Sequence, residues 1–546
     1  MFVLTGFLLL LRELLLINTR NLPFDDGLFV GRAESLIGNT EKTLGSTRGF
    51  NPLVKGQVYP FILEVANYLN MSPVVLVYFI FLIAAVVFLL MLCLMGVKTI
   101  IFIPFVLFVL LDPSPFSSQA SRISRELFYA TTIIFLFLLI VKLKVLISDK
   151  NFNSGLTKII FLGLSLGFVT FLANNTREER AWVFLILLTG LFWLISKNLS
   201  SLKILVLIVL IASGLYIFLQ LNLKNYNQNI FGVSLTSTTI EGEFPKLMSN
   251  LSSIDVLEEF NPYVSISEEK RMIAYEISPT FKLLKNYLEG EGKAWIQFGC
   301  ENSQTCEDYA NGWFHVALRV AIDDLGFWIT QKDAQDFMFK VNGELESACN
   351  SGRIDCTEAL PFAKALGVTK VTTGQLLQSL GFLRIYIDRS IFGWNRGPGE
   401  YSPFVVMDER QWQRWNYVVK SLPVSQAEYQ NQYNNRIALF NPIYQKWVIL
   451  YNGIILIGVL AMLVVLFKFI FDRKRFNKIE LLLISIACYS LFIWFTRGAL
   501  LAVNSATNFK SITQHYALPG RVFLPVSLSI FFYLVVRIIS DIKNKK

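Results

Sequence analysis

The chain has 546 residues, 53% of them apolar and only 16% charged, with a mean hydropathy of +0.49. That balance excludes a soluble multidomain enzyme, a disordered chain and a fibre, and leaves a polytopic membrane protein with a sizeable water-soluble part. The net charge of +10 does not point to nucleic acid, because the lysines and arginines gather in short loops beside apolar runs and not in a basic domain.

Apolar runs at 2–17, 74–95, 99–111, 127–147, 158–173, 181–196, 202–221, 447–471, 479–497 and 519–539 predict about ten transmembrane helices in a mainly α chain. Lys98, Lys142, Lys144, Lys150, Lys158, Lys197, Lys203, Arg473, Lys474, Arg475 and Lys478 share one side of that arrangement. The tail adds Lys543, Lys545 and Lys546. The positive-inside rule therefore places both termini in the cytoplasm. The first run lacks a basic start and an A-x-A cleavage site, which reads as an uncleaved anchor. Arg12 and Glu13 inside it are the main charges away from a span end.

Three parts follow. Residues 1–221 form a transmembrane module with a first outer loop at 18–73, residues 222–446 an α-rich extracytoplasmic domain inserted after the seventh span, and residues 447–546 a three-span module. Helices are expected in the insertion at 268–288, 312–326, 331–348, 373–392 and 408–439. It holds Cys300, Cys306, Cys349 and Cys356, whose local spacing suits two disulfides in an oxidising compartment. A four-thiolate zinc site is the rival, but its usual C-x2-C spacing is absent.

The chain has only two histidines, His315 and His515, and no P-loop or dinucleotide fingerprint, which argues against a His-rich metal centre or a His-based triad. The first outer loop presents Asp25 and Asp26, then an amphipathic stretch with Leu28, Phe29, Ala33, Leu36 and Ile37 apolar. An aspartate capping a short interfacial helix is the plain explanation. Asn51-Pro-Leu-Val-Lys-Gly-Gln-Val-Tyr-Pro60 precedes a second amphipathic stretch, and Lys55 within it is either an interfacial lysine or a ligand for an anion. Short outer loops carry Arg125-Glu126 and Arg177-Glu178-Glu179-Arg180, and Arg521 opens the last span.

One span, an acidic pair, an amphipathic helix, a Lys-Gly turn and a second amphipathic helix resemble the start of the GT-C superfamily of integral-membrane glycosyltransferases. The protein mannosyltransferase and aminoarabinose transferase group is the nearest in pattern. The segments Ser124-Arg-Glu-Leu-Phe-Tyr129, Asn175-Thr-Arg-Glu-Glu-Arg180 and Phe314-His-Val-Ala-Leu-Arg319 also resemble those of a set of uncharacterised bacterial membrane proteins. The resemblance implies a multi-pass enzyme of the bacterial cytoplasmic membrane that moves a sugar from a polyprenyl-phosphate donor to an acceptor on the outer side. It makes Asp25 the catalytic base and Asp26 the residue orienting acceptor or cation. Lys55 would face the donor phosphate. Beside the resemblance, Arg177 and Arg521 are candidate ligands of that phosphate and Glu126, Glu178 and Glu179 candidate supports of acceptor or cation, against the plain readings of solvated loop charges and, for Arg521, an interfacial anchor. Sugar and acceptor are not specified. Where the nearest group has a glutamate, a proline and a second acidic glutamate, this chain has Val54, Gly56 and Asp26, so dependence on a divalent metal stays open.

The chemistry suits such a site: a carboxylate deprotonates the acceptor hydroxyl, and cationic side chains or a metal stabilise the departing phosphate. Two other classes compete. A transporter or flippase is disfavoured by the lack of an internal repeat and of midplane acidic residues. A non-catalytic assembly or sensor protein on a GT-C-like scaffold fits the same sequence.

Overall fold

A computed structural model describes Gly6, Leu8, Leu9, Phe29, Val30, Arg32, Ala33 and residues 53–116, 123–148, 156–195, 199–257, 261–303, 305–357, 371–392, 425–508 and 511–543. Arg12, Glu13, Asp25 and Asp26 lie outside the described residues. The protein is helical, and the described residues contain no strand beyond an isolated bridge between Ile254 and Cys356.

In chain order a short helix, α1 (Val58–Tyr68), leads into the membrane helix α2 (Pro73–Leu94). After an irregular span, Thr99–Phe116, come α3 (Glu126–Ser148), α4 (Leu156–Thr176), α5 (Arg180–Leu194) and α6 (Leu199–Phe231). Eight helices among the described residues are long and apolar enough to cross a membrane, and α5 is a shorter apolar helix of 15 residues. The protein is thus a multi-pass membrane protein. The first expected run, 2–17, is described only at three positions.

Two features show how the bundle is fastened. Pro104 interrupts the span at Thr99–Phe116, which passes from 3-10 through α to a π turn at Val106–Leu110. Carbonyls released there are taken up by Tyr451 Oη, which donates to Phe108 O, and by Trp447 Nε1, which donates to Leu111 O at 3.0 Å. Lipid offers no partner for such groups, so side chains one turn apart on a neighbouring helix must supply them. The second feature is Gly163-x3-Gly167 on α4. A Cβ at Gly167 would meet Ala212 O at 2.4 Å, so α4 and α6 approach backbone to backbone.

A helical domain follows as α7 (Glu243–Ser253), α8 (Glu268–Ile277), α9 (Ala294–Ser303), α10 (Asn311–Asp324) and α11 (Gln331–Asn350). Its core is separate from that of the bundle and is built on Phe244, Leu247, Leu251, Phe314, Met338 and Leu345. The single helix expected at 268–288 is broken at Ser278-Pro279, where Ser278 caps a new short turn through Phe281 N–H and proline ends the preceding helix. Disulfides join Cys300 to Cys306 and Cys349 to Cys356. The second one closes a loop tied to the end of α7 by Thr357 N–H to Ser253 O at 2.7 Å.

Helix α12 (Thr373–Phe392) returns to the bundle and is followed by α13 (Gln426–Phe471), α14 (Lys478–Thr507), α15 (Gln514–Arg521) and α16 (Phe523–Lys543). Tyr386 of α12 is buried over two glycines: a Cβ at Gly498 or Gly520 would lie 2.4 Å from Tyr386 or 2.4 Å from Arg497, respectively. The expected boundaries at 221/222 and 446/447 fall inside helices, because α6 runs on to Phe231 and α13 is one helix of 46 residues. The part of the expected helix at 408–424 lies outside the described residues.

Candidate functional site

At one end of the bundle, charged side chains from three parts of the chain meet. Arg125 stands just before α3 and Glu126 opens it, an acidic residue favoured in a first helical turn. Arg177, Glu178 and Glu179 form the three-residue corner between α4 and α5, so successive side chains leave in different directions. Arg497 comes from α14, one turn inside an otherwise apolar stretch.

The pairing is extensive. Arg125 grips Glu178 with two nitrogens at 2.8 and 2.7 Å and also donates to Thr176 O at 3.0 Å. Arg177 pairs with Glu126, and its Nε reaches Glu179 at 2.9 Å. Arg497 pairs with the other oxygen of Glu179 and donates to Tyr516 O at 2.9 and 2.8 Å. Aromatic faces complete the shell: Tyr516 lies 4.8 Å from the Arg177 guanidinium and Trp182 lies 4.9 Å from that of Arg497. Burial works against charge on Glu178, but Arg125 and then Lys55 outweigh it and hold the carboxyl at about 2. Glu179 is likewise held low, burial being overcome by Arg177 and Arg497.

Glu178 connects this layer to the loop that precedes α1. Its Oε1 accepts Gly56 N–H at 3.1 Å. A Cβ at Gly56 would sit 2.2 Å from Asn175 O, so only glycine fits against the α4 terminus, and proline would also remove the donated N–H. Lys55 beside it is half-buried and within electrostatic reach of both Glu178 and His315. Val54 is buried. Arg32 donates to Gln57 at 2.8 Å, and Phe29 packs edge-on to Tyr59 at 5.1 Å, which places both residues at the same corner.

A strap of the chain, 235–241, binds the other side of the loop. Thr238 N–H donates to Leu53 O at 2.7 Å, while Ser237 and Thr239 hydroxyls donate to Val54 O at 3.0 and 2.6 Å. Glu241 at its end pairs with Arg180 at 2.7 Å and Lys224 at 3.1 Å. Arg319 of α10 donates to Thr238 Oγ1 at 3.1 Å. Of the three segments singled out in the sequence, 175–180 touches the loop directly, while 124–129 and 314–319 reach it through Glu178 and Thr238.

Arg521 lies one residue beyond the Gly520 that touches Arg497, and its Nη1 holds Asp112 at 2.7 and 3.0 Å. Asp112 also accepts the Ser114 N–H and hydroxyl, at 3.0 and 2.7 Å. Arg177, Arg521, Glu126 and Glu179 thus all have ion-pair partners within the chain. Sequence reasoning did not include Arg497, Asp112, Glu241 or Arg319 in the site. An arginine inside an apolar run was the signal available for Arg497.

Beside the corner, an apolar cleft of about 570 Å3 runs between α3, α4, α5 and α6, lined by Leu143, Leu166, Phe184, Leu188 and Ile208 and reaching Ala181, two residues from Glu179, and Tyr216. Among the described residues no group of three or more His, Cys, Asp or Glu side chains is arranged to hold a metal. Set against known proteins, the chain matches no family model, no curated protein and no solved structure.

Proposed function

We propose that the protein is a membrane glycosyltransferase of the GT-C kind, moving a sugar from a polyprenyl-phosphate donor to an acceptor at the outer face of a bacterial cytoplasmic membrane. The observation that carries this reading is Glu178: an ionised, buried carboxylate fixes the Lys55-Gly56 turn beside a lipid-level apolar cleft. The cleft suits an isoprenoid tail, and Lys55 stands where a phosphate at the membrane surface would need a cation. Asp25 takes the proton of the acceptor hydroxyl, and Asp26 orients the acceptor. Arg125, Arg177 and Arg497, tied to Glu126, Glu178 and Glu179, set the loop that presents them. These roles use only the chain's own side chains.

The test is turnover of polyprenyl-phosphate sugars by purified protein in liposomes. Asp25→Asn keeps the shape and capping capacity, so a capping aspartate leaves turnover intact, whereas loss of a general base lowers the rate by about 10²–10⁴ with the protein folded. Full activity in both Asp25→Asn and Asp26→Asn in an active preparation refutes the assignment. A non-catalytic assembly protein on the same scaffold is the second reading, favoured by the mutual pairing of the Arg125, Arg177 and Arg497 cluster with three carboxylates. It predicts stable complexes with other membrane proteins and no effect of Asp25→Asn on them.

A further inference from the structure

Helix α10 carries a pair of basic side chains that the proposed reaction leaves without a task. His315 and Arg319 are four residues apart on one stripe of the helix, and both lie against the core residue Phe244. Arg319 is only 4% exposed. It lies 3.7 Å from the centre of the Phe244 ring and 5.6 Å from that of Trp328, and its one hydrogen bond goes from Nη1 to Thr238 Oγ1. Its Nη2 is buried with no hydrogen-bond partner.

Among the described residues Arg319 makes no ion pair: Glu241 pairs with Arg180 and Lys224, Glu178 pairs with Arg125 and is in reach of Lys55, and Glu243 accepts from Asn342 at 2.8 Å. A buried guanidinium without a carboxylate is costly, and burial alone lowers the pKa of Arg319 to about 9. The strap residue that Arg319 touches is bonded to Leu53, two residues from Lys55. His315, half-buried, packs edge-on to Phe244 at 5.4 Å and is kept neutral, its pKa lowered to about 3 by burial, Arg319 and Lys55. Arg319 and Lys55 thus both act on His315, and Arg319 is tied to the loop before α1 through Thr238.

We propose that Arg319, His315 and Lys55 form a binding site for a phosphate or carboxylate group, with the free Nη2 of Arg319 as its innermost donor. An anion there satisfies the orphaned donor and neutralises the buried cation, and it holds the helical domain against the loop. The inference rests on the transferase reading only for its natural ligand, which would be the phosphate of the lipid substrate. The same chemistry also fits a free phosphate.

The experiment uses the full chain in lipid nanodiscs. Binding is read by calorimetry with inorganic pyrophosphate, and by the shift of thermal unfolding when a polyprenyl monophosphate is added to the nanodisc lipid. Wild-type protein is expected to respond to at least one probe. Response to pyrophosphate identifies a site for soluble anions, and response to the polyprenyl phosphate alone identifies a lipid headgroup. Arg319→Met is expected to lower the affinity at least about tenfold, the loss of a charge-assisted hydrogen bond. In the absence of anion it should unfold at the same or a higher temperature, because an unpaired buried cation has gone. His315→Asn and Lys55→Gln, at half-buried positions, should each weaken binding several-fold and serve if Arg319→Met does not fold. Silence of the wild type with both probes overturns the proposal, as does unchanged affinity in the variants. Binding is read without turnover, so a chain that binds the anion but transfers no sugar would sink the transferase reading and leave this site standing.

Discussion

Replacing Gly56 by alanine tests the architecture of the corner at its tightest point. The added Cβ would lie 2.2 Å from Asn175 O and 2.7 Å from Asn175 C, against ordinary contacts of 3.4 Å or more. Both obstacles are backbone at the end of α4, fixed by the helix and by the Arg125 bond to Thr176 O, so the loop has to retreat by about 1 Å. That retreat breaks the 3.1 Å bond from Gly56 N–H to Glu178. Overpacking costs about 1–3 kcal/mol and a lost hydrogen bond to a charged acceptor about 1.5–3, together about 3–6 kcal/mol. Thermal and denaturant unfolding of the purified protein should show the loss as a midpoint lower by several degrees. Gly56→Pro should be at least as damaging, since it also lacks the N–H. Gly214→Ala on α6 is the control: nothing lies within 4 Å of its Cβ, and alanine gains up to about 1 kcal/mol of helix propensity. If Gly56→Ala and Gly214→Ala behave alike, the loop does not sit against α4 as described.

Other outcomes follow from the same geometry. The pKa of Glu178 is depressed, so its contribution to stability is full above its unfolded value near 4.5 and is lost as pH falls towards about 2; at about 1.4 kcal/mol per pH unit this is on the order of 3 kcal/mol. Glu178→Gln should abolish that dependence in an acid titration followed by unfolding, and should destabilise at neutral pH by leaving Arg125 buried beside a neutral amide. Mass spectrometry of non-reduced peptides should recover Cys300–Cys306 and Cys349–Cys356 pairs, and reducing either bond should cost about 2–3 kcal/mol, while crossed pairing would refute the local connection. Labelling of cysteines placed at Lys474 and Gly343 should report opposite sides of the membrane; finding them on one side removes the basis for an outward-facing site.

Hydropathy alone located the described membrane helices, since runs of Leu, Ile, Phe and Val long enough to cross a bilayer have few other uses. It misjudged where they end: the polar turns of α6 after Leu221 and of α13 before Trp447 continue a helix whose hydrogen bonds do not depend on the surrounding medium. The break at Ser278-Pro279 was written in the residues, and periodicity alone smoothed over it. At the corner, the charged residues of 125–126 and 177–180 were legible as a group because short loops between spans rarely carry so many. Their partners were not: Glu179 meets an arginine 318 positions away, a pairing that periodicity and local motif do not encode. Glycine at position 56 looked like a departure from a Lys-Pro turn, and its reason became plain only once the α4 terminus lay across it.

The late arrival of Arg497 has a consequence for biogenesis. Before α14 is inserted, Arg177 serves both Glu126 and Glu179, while Glu178 has Arg125 with Lys55 in reach. The 194 residues from 232 to 425 are translated in the interval between α6 and α13. During that time Glu179 has only one guanidinium, and the groove that later receives α14 and α15 exposes Trp182 and the start of α3. Docking of α14 gives Glu179 its second guanidinium and covers Trp182. A nascent or truncated chain lacking the last three helices would therefore leave Glu179 sharing Arg177 with Glu126 and Trp182 uncovered.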